Sequence, residues 1–421
     1  MLLTRASRVL LAASITCVAT VVSAQSIAIT GGKVHPVSGP AIDNGTVVIT
    51  DGKITAVGAG VAVPAGARVI DAKGKWVTPG LFNPTTTLGL REVGSEPGST
   101  DDSARGDHGV AAAFRAWEGL NATSTLWAPA RNEGVTTVGA LPNGGLIAGQ
   151  GAVVDTLPGR TAADMIRKAP AVMVASLASA QEAQTDARGE LFMRLREVLD
   201  DARLFDGRRE AFDNGAVRDL AVHRLHLAAL QQVLSGQVPV LIAVHRAADI
   251  EAALALARDY KLRIGILGGA EAWMVTPQLA AARVPVFTTA LDSIPTSFTT
   301  LGQRQENAGL LRKGGVAVGL MVGAGESFNV RNIRQHAGNA VAYGMTWDDA
   351  LRAVTLTPAE FFGVADAIGT LEVGKDANVV VWDGDPFEFA TRAVNVFIRG
   401  RDVQGPSRQD MLTERYVPKK P

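Results

Sequence analysis

The chain reads as an α/β protein, a (β/α)8 barrel of the TIM type beside a small composite β-sandwich that both chain ends build together. Three observations predict this. Short β-branched runs joined by turns crowd residues 26–77 and return after residue 369. Between these ends, apolar runs of the buried-parallel-strand kind alternate with amphipathic helical stretches, which implies a parallel sheet, and a barrel is the form that suits the length. With 47% hydrophobic residues, 45 glycines and 19% charged residues, the composition suits a glycine-turned α/β protein and not a disordered or coiled-coil one.

Residues 1–24 have the layout of a secretory signal peptide. Arg5 and Arg8 precede an apolar run from Val9 to Val22, and Val22-Ser23-Ala24 stands where cleavage is expected. The run falls short of the about 20 residues that span a bilayer, so an uncleaved anchor is the lesser alternative. The expected product starts near Gln25 and is periplasmic or secreted, with no membrane attachment after cleavage. Cys17, the only cysteine, lies inside the leader, so the mature chain holds no disulfide and no thiolate ligand. Basic and acidic residues balance at 41 each, and without Arg5 and Arg8 the count is 39 against 41. Such a balance argues against a nucleic-acid or anionic-membrane footprint.

Residues 25–78 and 367–405 are expected to make the β domain. Ile27 to Thr30, Gly45 to Ile49, Lys53 to Val57 and Arg68 to Ile70 read as strands, with Asp51-Gly52 as a hairpin turn. Residues 79–366 carry the barrel, with strand-like runs near residues 135, 171, 238, 263, 284 and 316, and residues 406–421 form a tail. A helix is expected from Ala247 to Tyr260, with Ile250, Ala253, Leu254 and Ala257 on its apolar face. Thr357-Pro358-Ala359-Glu360 has a helix-start pattern that Gly363 can end, and Thr346 with Asp349 is a weaker one. The charged segment from Gln181 to His226 reads as exposed helices, or as a mobile lid. Gly139 to Gly151 reads as a turn-rich loop near the mouth; no Gly-Lys-Ser/Thr follows, so it is not a phosphate loop.

Pro79-Gly80-Leu81-Phe82-Asn83-Pro84-Thr85-Thr86-Thr87-Leu88-Gly89 resembles the first-strand motif of the amidohydrolase superfamily, which runs roughly P-G-x-x-D-x-H-x-H-x-G. Asn44 to Ile54, Ala340 to Gly344, Thr357 to Glu360 and Gly369 to Ala377 extend the resemblance over residues 27–403, toward the imidazolonepropionase-like and secreted dipeptidase-like branch. The resemblance implies a hydrolase of C–N bonds using zinc or another divalent metal. It also implies ligands from two histidines on strand 1, a modified lysine or glutamate on strand 4, single histidines on strands 5 and 6, and an aspartate on strand 8.

Here the strand 1 positions fall on Thr85 and Thr87, with Asn83 at the neighbouring aspartate position. The strand 6 position falls near Gly268, and Glu326 is the carboxylate nearest the end of strand 8. His245, directly after strand 5, is the surviving ligand-type residue, and one imidazole does not make a zinc site. No metal or cofactor is therefore expected. Thr85, Thr87, His245, Glu271 and Glu326 are the candidate ligand-lining residues, while His223 and His226 read as solvated surface groups. The expected function is a non-catalytic binding or partner subunit. Its partner would be a catalytically intact amidohydrolase relative or a second copy of the chain, with a small-molecule ligand possible at the mouth. The alternative is an active amide, cyclic-amide or dipeptide hydrolase with a rearranged or metal-free site.

Overall fold

A computed structural model describes residues 26–159, 161–178, 187–213, 220–291, 294–323 and 325–417, except for the side chains of 206–213. The expected leader, the stretches 179–186 and 214–219 of the charged segment, and the chain end after 417 lie outside the described residues.

The first sheet joins both chain ends. Its strands are β1 (Ile27–Val34), β2 (Ile42–Thr50), β3 (Lys53–Ala59), β4 (Arg68–Asp71) and β5 (Trp76–Pro79), completed by β14 (Val379–Trp382), β15 (Ala393–Ile398) and β16 (Arg401–Asp402). They run in the order β16-β15-β14-β5-β1-β2-β3, with β4 also on β1. Asp51 and Gly52 both have positive φ, as a tight hairpin turn between twisted strands requires. Strand β1 bends at Gly31, whose φ is 76°. Its first half pairs in parallel with β4 and its last two residues with β5. All eight strands are thus linked as one sheet through β1. Alternation sorts the side chains of β14: Val379 and Val381 enter the β-domain core, and Val380 and Trp382 the barrel-side core.

The second sheet is the barrel: β6 (Leu81–Thr86), β7 (Val135–Ala140), β8 (Ile147–Asp155), β9 (Ile166–Ser176), β10 (Val240–Val244), β11 (Ile264–Gly268), β12 (Val286–Thr288) and β13 (Val318–Leu320), paired in that order. It is nearly closed. Val322 N–H donates to Asn83 Oδ1 at 3.4 Å and Thr85 Oγ1 to Met321 Sδ at 3.4 Å, so the chain after β13 lies against β6.

The sheet is not wholly parallel. Strand β8 runs antiparallel to both β7 and β9. The reason is chain length: residues 141–146 connect β7 to β8, and a parallel crossover needs a dozen residues or more. Ile147 to Gly151, expected as loop, therefore belongs to a buried strand.

One end of the barrel is plugged by aromatic side chains. Phe82 and Phe287 meet Phe361 and Phe362 from the helix Leu356–Phe362. Gly265 and Gly319 leave the room: an added Cβ would sit 2.7 Å from the Phe361 ring and 2.4 Å from that of Phe287. The opposite end, where β10 to β13 finish, stays open.

The helix Ala247–Tyr260 has the expected bounds and buries Ile250, Ala253, Leu256 and Ala257; Leu254 is only partly covered. Thr346 caps the helix Trp347–Ala353 through a bond from Asp349 N–H. Thr357 does not cap: the helix starts at Leu356, two residues before the expected first position at Pro358, and follows Thr355, whose hydroxyl donates to Leu351 O at 2.6 Å. Within the charged segment, the helix Arg188–Asp213 lays Leu191, Leu195, Val198, Leu199 and Ala202 into the core. That apolar stripe makes it a packed barrel helix and not a solvated one.

Candidate functional site at the barrel mouth

Residues at the C-terminal ends of four consecutive parallel strands enclose a cavity of about 360 Å³. Ala243 and His245 come from the end of β10, Leu267 and Gly268 from β11, Thr288 and Thr289 from β12, and Met321 and Gly323 follow β13. The connection after β12 supplies the rest of the wall, including Ile294, Ser297, Thr300, Arg304 and Asn307. Parallel strands open onto such a space because their carboxyl ends hand over to loops on one side of the sheet.

His245 owes its position to a glycine. A Cβ added at Gly268 would lie 2.4 Å from His245 Cε1 and 2.8 Å from Nδ1, so the imidazole occupies the volume that a side chain on β11 would fill. With φ at 90°, Gly268 also sits where L side chains are strained. His245 Nδ1 is buried without a hydrogen-bond partner, and burial lowers the imidazole pKa below its ordinary value, which favours the neutral ring.

Asn307, 3% exposed, is the second polar group held at the wall. Its Nδ2 donates to Gly269 O at 3.0 Å and approaches Thr288 Oγ1 at 3.4 Å. A carbonyl oxygen can only accept, so the nitrogen must face Gly269 and the amide orientation is fixed. Oδ1 is then left buried without a donor. Arg304 is the charged side chain of the wall: its Nε donates to Glu306 at 3.1 Å and its Cζ stands 4.8 Å from the centre of the Trp273 ring.

The other expected site residues are engaged elsewhere. Thr85 contacts Met321 beneath the mouth, and Thr87 Oγ1 donates to Gly325 O at 2.9 Å. Glu271 Oε2 accepts from Ala247 N–H at 2.9 Å, placing its charge at the N-terminus of the helix Ala247–Tyr260. Glu326 accepts at its backbone carbonyl from Thr86 and Thr87, and at Oε2 from Asn329 at 3.0 Å. The strand 1 hydroxyls thus stitch β6 to the loop after β13, and His245 alone of the five lines the cavity. Among the described residues, no three His, Cys, Asp or Glu side chains come close enough to share a metal ion.

Sequence reasoning missed Asn307 and Arg304, which sit in an ordinary polar helix start, Gln303-Arg304-Gln305-Glu306-Asn307, with no motif to single them out. It also expected a solvated His226, whereas His226 Nδ1 accepts from Ala113 N–H at 3.1 Å and ties its helix to the loop before β7. Nor was Asp102 singled out: it is fully buried near the mouth and paired with Arg91 at 2.6 Å.

A family model described as the amidohydrolase family matches residues 247–406. The imidazolonepropionase of Mesorhizobium japonicum is 25% identical over 81% of this chain and 87% of its own length. Amidohydrolase tasK of Hapsidospora irregularis is 23% identical over 85% of this chain, which spans only 39% of that longer relative. Among solved structures, an amidohydrolase from Thermotoga maritima superposes with a TM-score of 0.81 at 26% identity, covering 90% of this chain and 99% of the other.

Proposed function

The chain belongs to the amidohydrolase superfamily, and on that premise we propose that it binds a small molecule at the barrel mouth without metal-assisted hydrolysis. The observation that carries this reading is the cavity wall itself. Its polar groups are hydroxyls, the two carboxamides of Gln303 and Asn307, one guanidinium and one imidazole. That set does not fit zinc, which takes about three protein ligands at a catalytic site, chiefly imidazole, thiolate and carboxylate. Glu271 and Glu326, the carboxylates that could have joined His245, are committed to a helix N-terminus and to Asn329.

A second reading draws on one atom. The uncommitted Nδ1 of a neutral His245 could act as general base in metal-free hydrolysis of an amide. Single-turnover assays on amides, cyclic amides and dipeptides, run with chelator and then with added zinc or manganese, separate the two. Binding without product in either condition is expected. Turnover abolished by His245→Gln would favour the second reading, and turnover that needs metal would overturn both.

Export through a leader over residues 1–24 and association with a catalytically intact relative or a second copy belong to the same proposal. Phe298, Leu301 and Phe328 are large exposed apolar side chains on the connections that follow β12 and β13, and a contiguous apolar patch there would favour association. Purification from the native source with mass spectrometry tests both points.

A further inference from the structure

Away from the mouth, two cavities adjoin on the outside of the barrel. The larger, of about 710 Å³, is a groove between the helix Ala247–Tyr260 and the helix Thr276–Ala282. The smaller, of about 380 Å³, lies where β10 to β13 begin, against Phe361 of the aromatic plug. Leu262, Ala282 and Val284 line both, so the two form one cleft from the helix pair to the barrel floor. Small side chains hollow out the groove. Ala281 and Ala282 share its lining with Leu254 and Leu262 and reach too little to cover either leucine, and both leucines stay half-buried.

The rim of the cleft is cationic. Lys261 lines the groove and Arg283 the inner cavity, each next in sequence to a wall residue that the two share. Among the described residues, neither side chain has a hydrogen-bond or ion-pair partner. Both end their helices in the left-handed region, at φ 56° and 54°, where glycine would be unstrained. Arg263, also on the inner wall, spends Nη1 on Gly236 O at 3.1 Å and keeps Nη2. The acids of the lining are already engaged: Glu251 accepts from Gln278 at 3.0 Å and Glu360 from Arg352 at 2.7 Å. Thr357 completes the inner cavity. Its sequence pattern marks a helix cap, yet it lies inside the helix, is 4% exposed, and makes no side-chain hydrogen bond among the described residues. The inner end therefore offers two guanidiniums and a hydroxyl, and the outer end bare hydrocarbon.

The shape narrows the choice of occupant. One helical turn, about 10 Å across and 5.4 Å long, fills roughly 420 Å³, more than the inner cavity holds. An extended peptide would bury backbone polar groups against leucine and alanine. A hydrocarbon chain with one anionic end has neither difficulty. We propose that the cleft binds a free fatty carboxylate, with its head held by Arg263, Arg283 and Thr357, Lys261 at the junction, and its chain along Leu254 and Leu262. This site is separate from the mouth and stands or falls independently of what the mouth binds.

Isothermal titration of the full chain with octanoate, dodecanoate and dodecyltrimethylammonium, each below its micellar range, tests the proposal. Dodecanoate is expected to bind at least about tenfold tighter than octanoate, which lays fewer methylenes in the groove, and than the cation of equal chain length. Replacing the unpaired cations together, by Lys261→Gly and Arg283→Gly, leaves residues suited to the left-handed turns, so the thermal midpoint should stay close to that of the wild type. Dodecanoate binding should weaken about tenfold or more in that variant. Ala282→Trp, at an exposed position, fills the junction of the two cavities and should weaken it to a similar degree. No binding of dodecanoate, equal binding of the three probes, or dodecanoate binding unchanged in either variant overturns the proposal. Binding to vesicles of phosphatidylcholine and phosphatidylglycerol without binding of monomeric dodecanoate also overturns it, and makes the cationic rim a membrane contact instead.

Discussion

His35 stacks on Trp76 with ring centres 4.7 Å apart and lies 4.4 Å from the ring of Trp347, with Nε2 buried and unpartnered. Burial first, and then the nearby Lys33 charge, lower its pKa to about 4. An unfolded histidine takes up its proton near 6.5, so between these values the unfolded chain binds a proton that the folded chain refuses. Stability is then complete above about pH 6.5 and falls by about 3 kcal/mol as the pH drops to 4. Urea unfolding at pH 7 and 4.5 should show this difference, and His35→Phe should remove most of it. Gly268→Ala gives a second expectation. Its Cβ would collide with His245 and the positive φ would be strained, so a loss of about 1–3 kcal/mol is expected, with the imidazole displaced from the cavity wall. A thermal melt and the His245 proton resonances check the two halves. His245 was legible in the sequence because it directly follows an apolar strand; Asn307 was not, because its significance lies in an orphaned oxygen that only packing creates.

Between elements, the β domain is locked to the barrel by charge. Arg167, nearly buried, reaches Asp155 at 2.7 Å and Asp376 at 2.6 Å, and Arg399 reaches Asp155 at 2.7 Å. Thr137 Oγ1 donates to the same carboxylate at 3.0 Å. Asp155→Ala would remove the carboxylate shared by both guanidiniums, leaving Arg167 to Asp376 alone, and a cost of about 3 kcal/mol in denaturant unfolding is expected. Burial alone would raise the Asp376 pKa, but hydrogen bonds from Lys53 and Arg167 outweigh it and hold the carboxyl below its ordinary value. Its contribution is present at neutral pH and is lost only as the pH falls below about 4, an acid window separate from that of His35. Elements with strong local signals were legible. Asp51-Gly52 sets its hairpin and the Ala247–Tyr260 stripe its helix. The antiparallel course of β8 was hidden because buried strands of either direction carry the same apolar run, and the deciding fact is the short 141–146 link. Thr357 misled for a different reason: its pattern suits a cap, yet the chain enters that helix already buried, with Thr355 bonded back to Leu351.

At the scale of the whole molecule, two sheets with a shared core carry a barrel-mouth cavity whose lining is poor in metal donors. The lineage and the barrel were readable because glycines, turns and strand order leave marks along the chain. The cavity chemistry was readable only in part, since Thr85, Thr87, Glu271 and Glu326 are polar residues that spend their hydrogen bonds on the scaffold. The central claim is that the mouth binds without a metal, and elemental analysis of the protein purified from its native compartment tests it most directly. After exhaustive dialysis, less than about 0.1 equivalent of zinc, manganese or iron per chain is expected, because one imidazole among hydroxyls does not retain such ions. One full equivalent that disappears in His245→Ala would contradict the account and place a metal centre at the mouth.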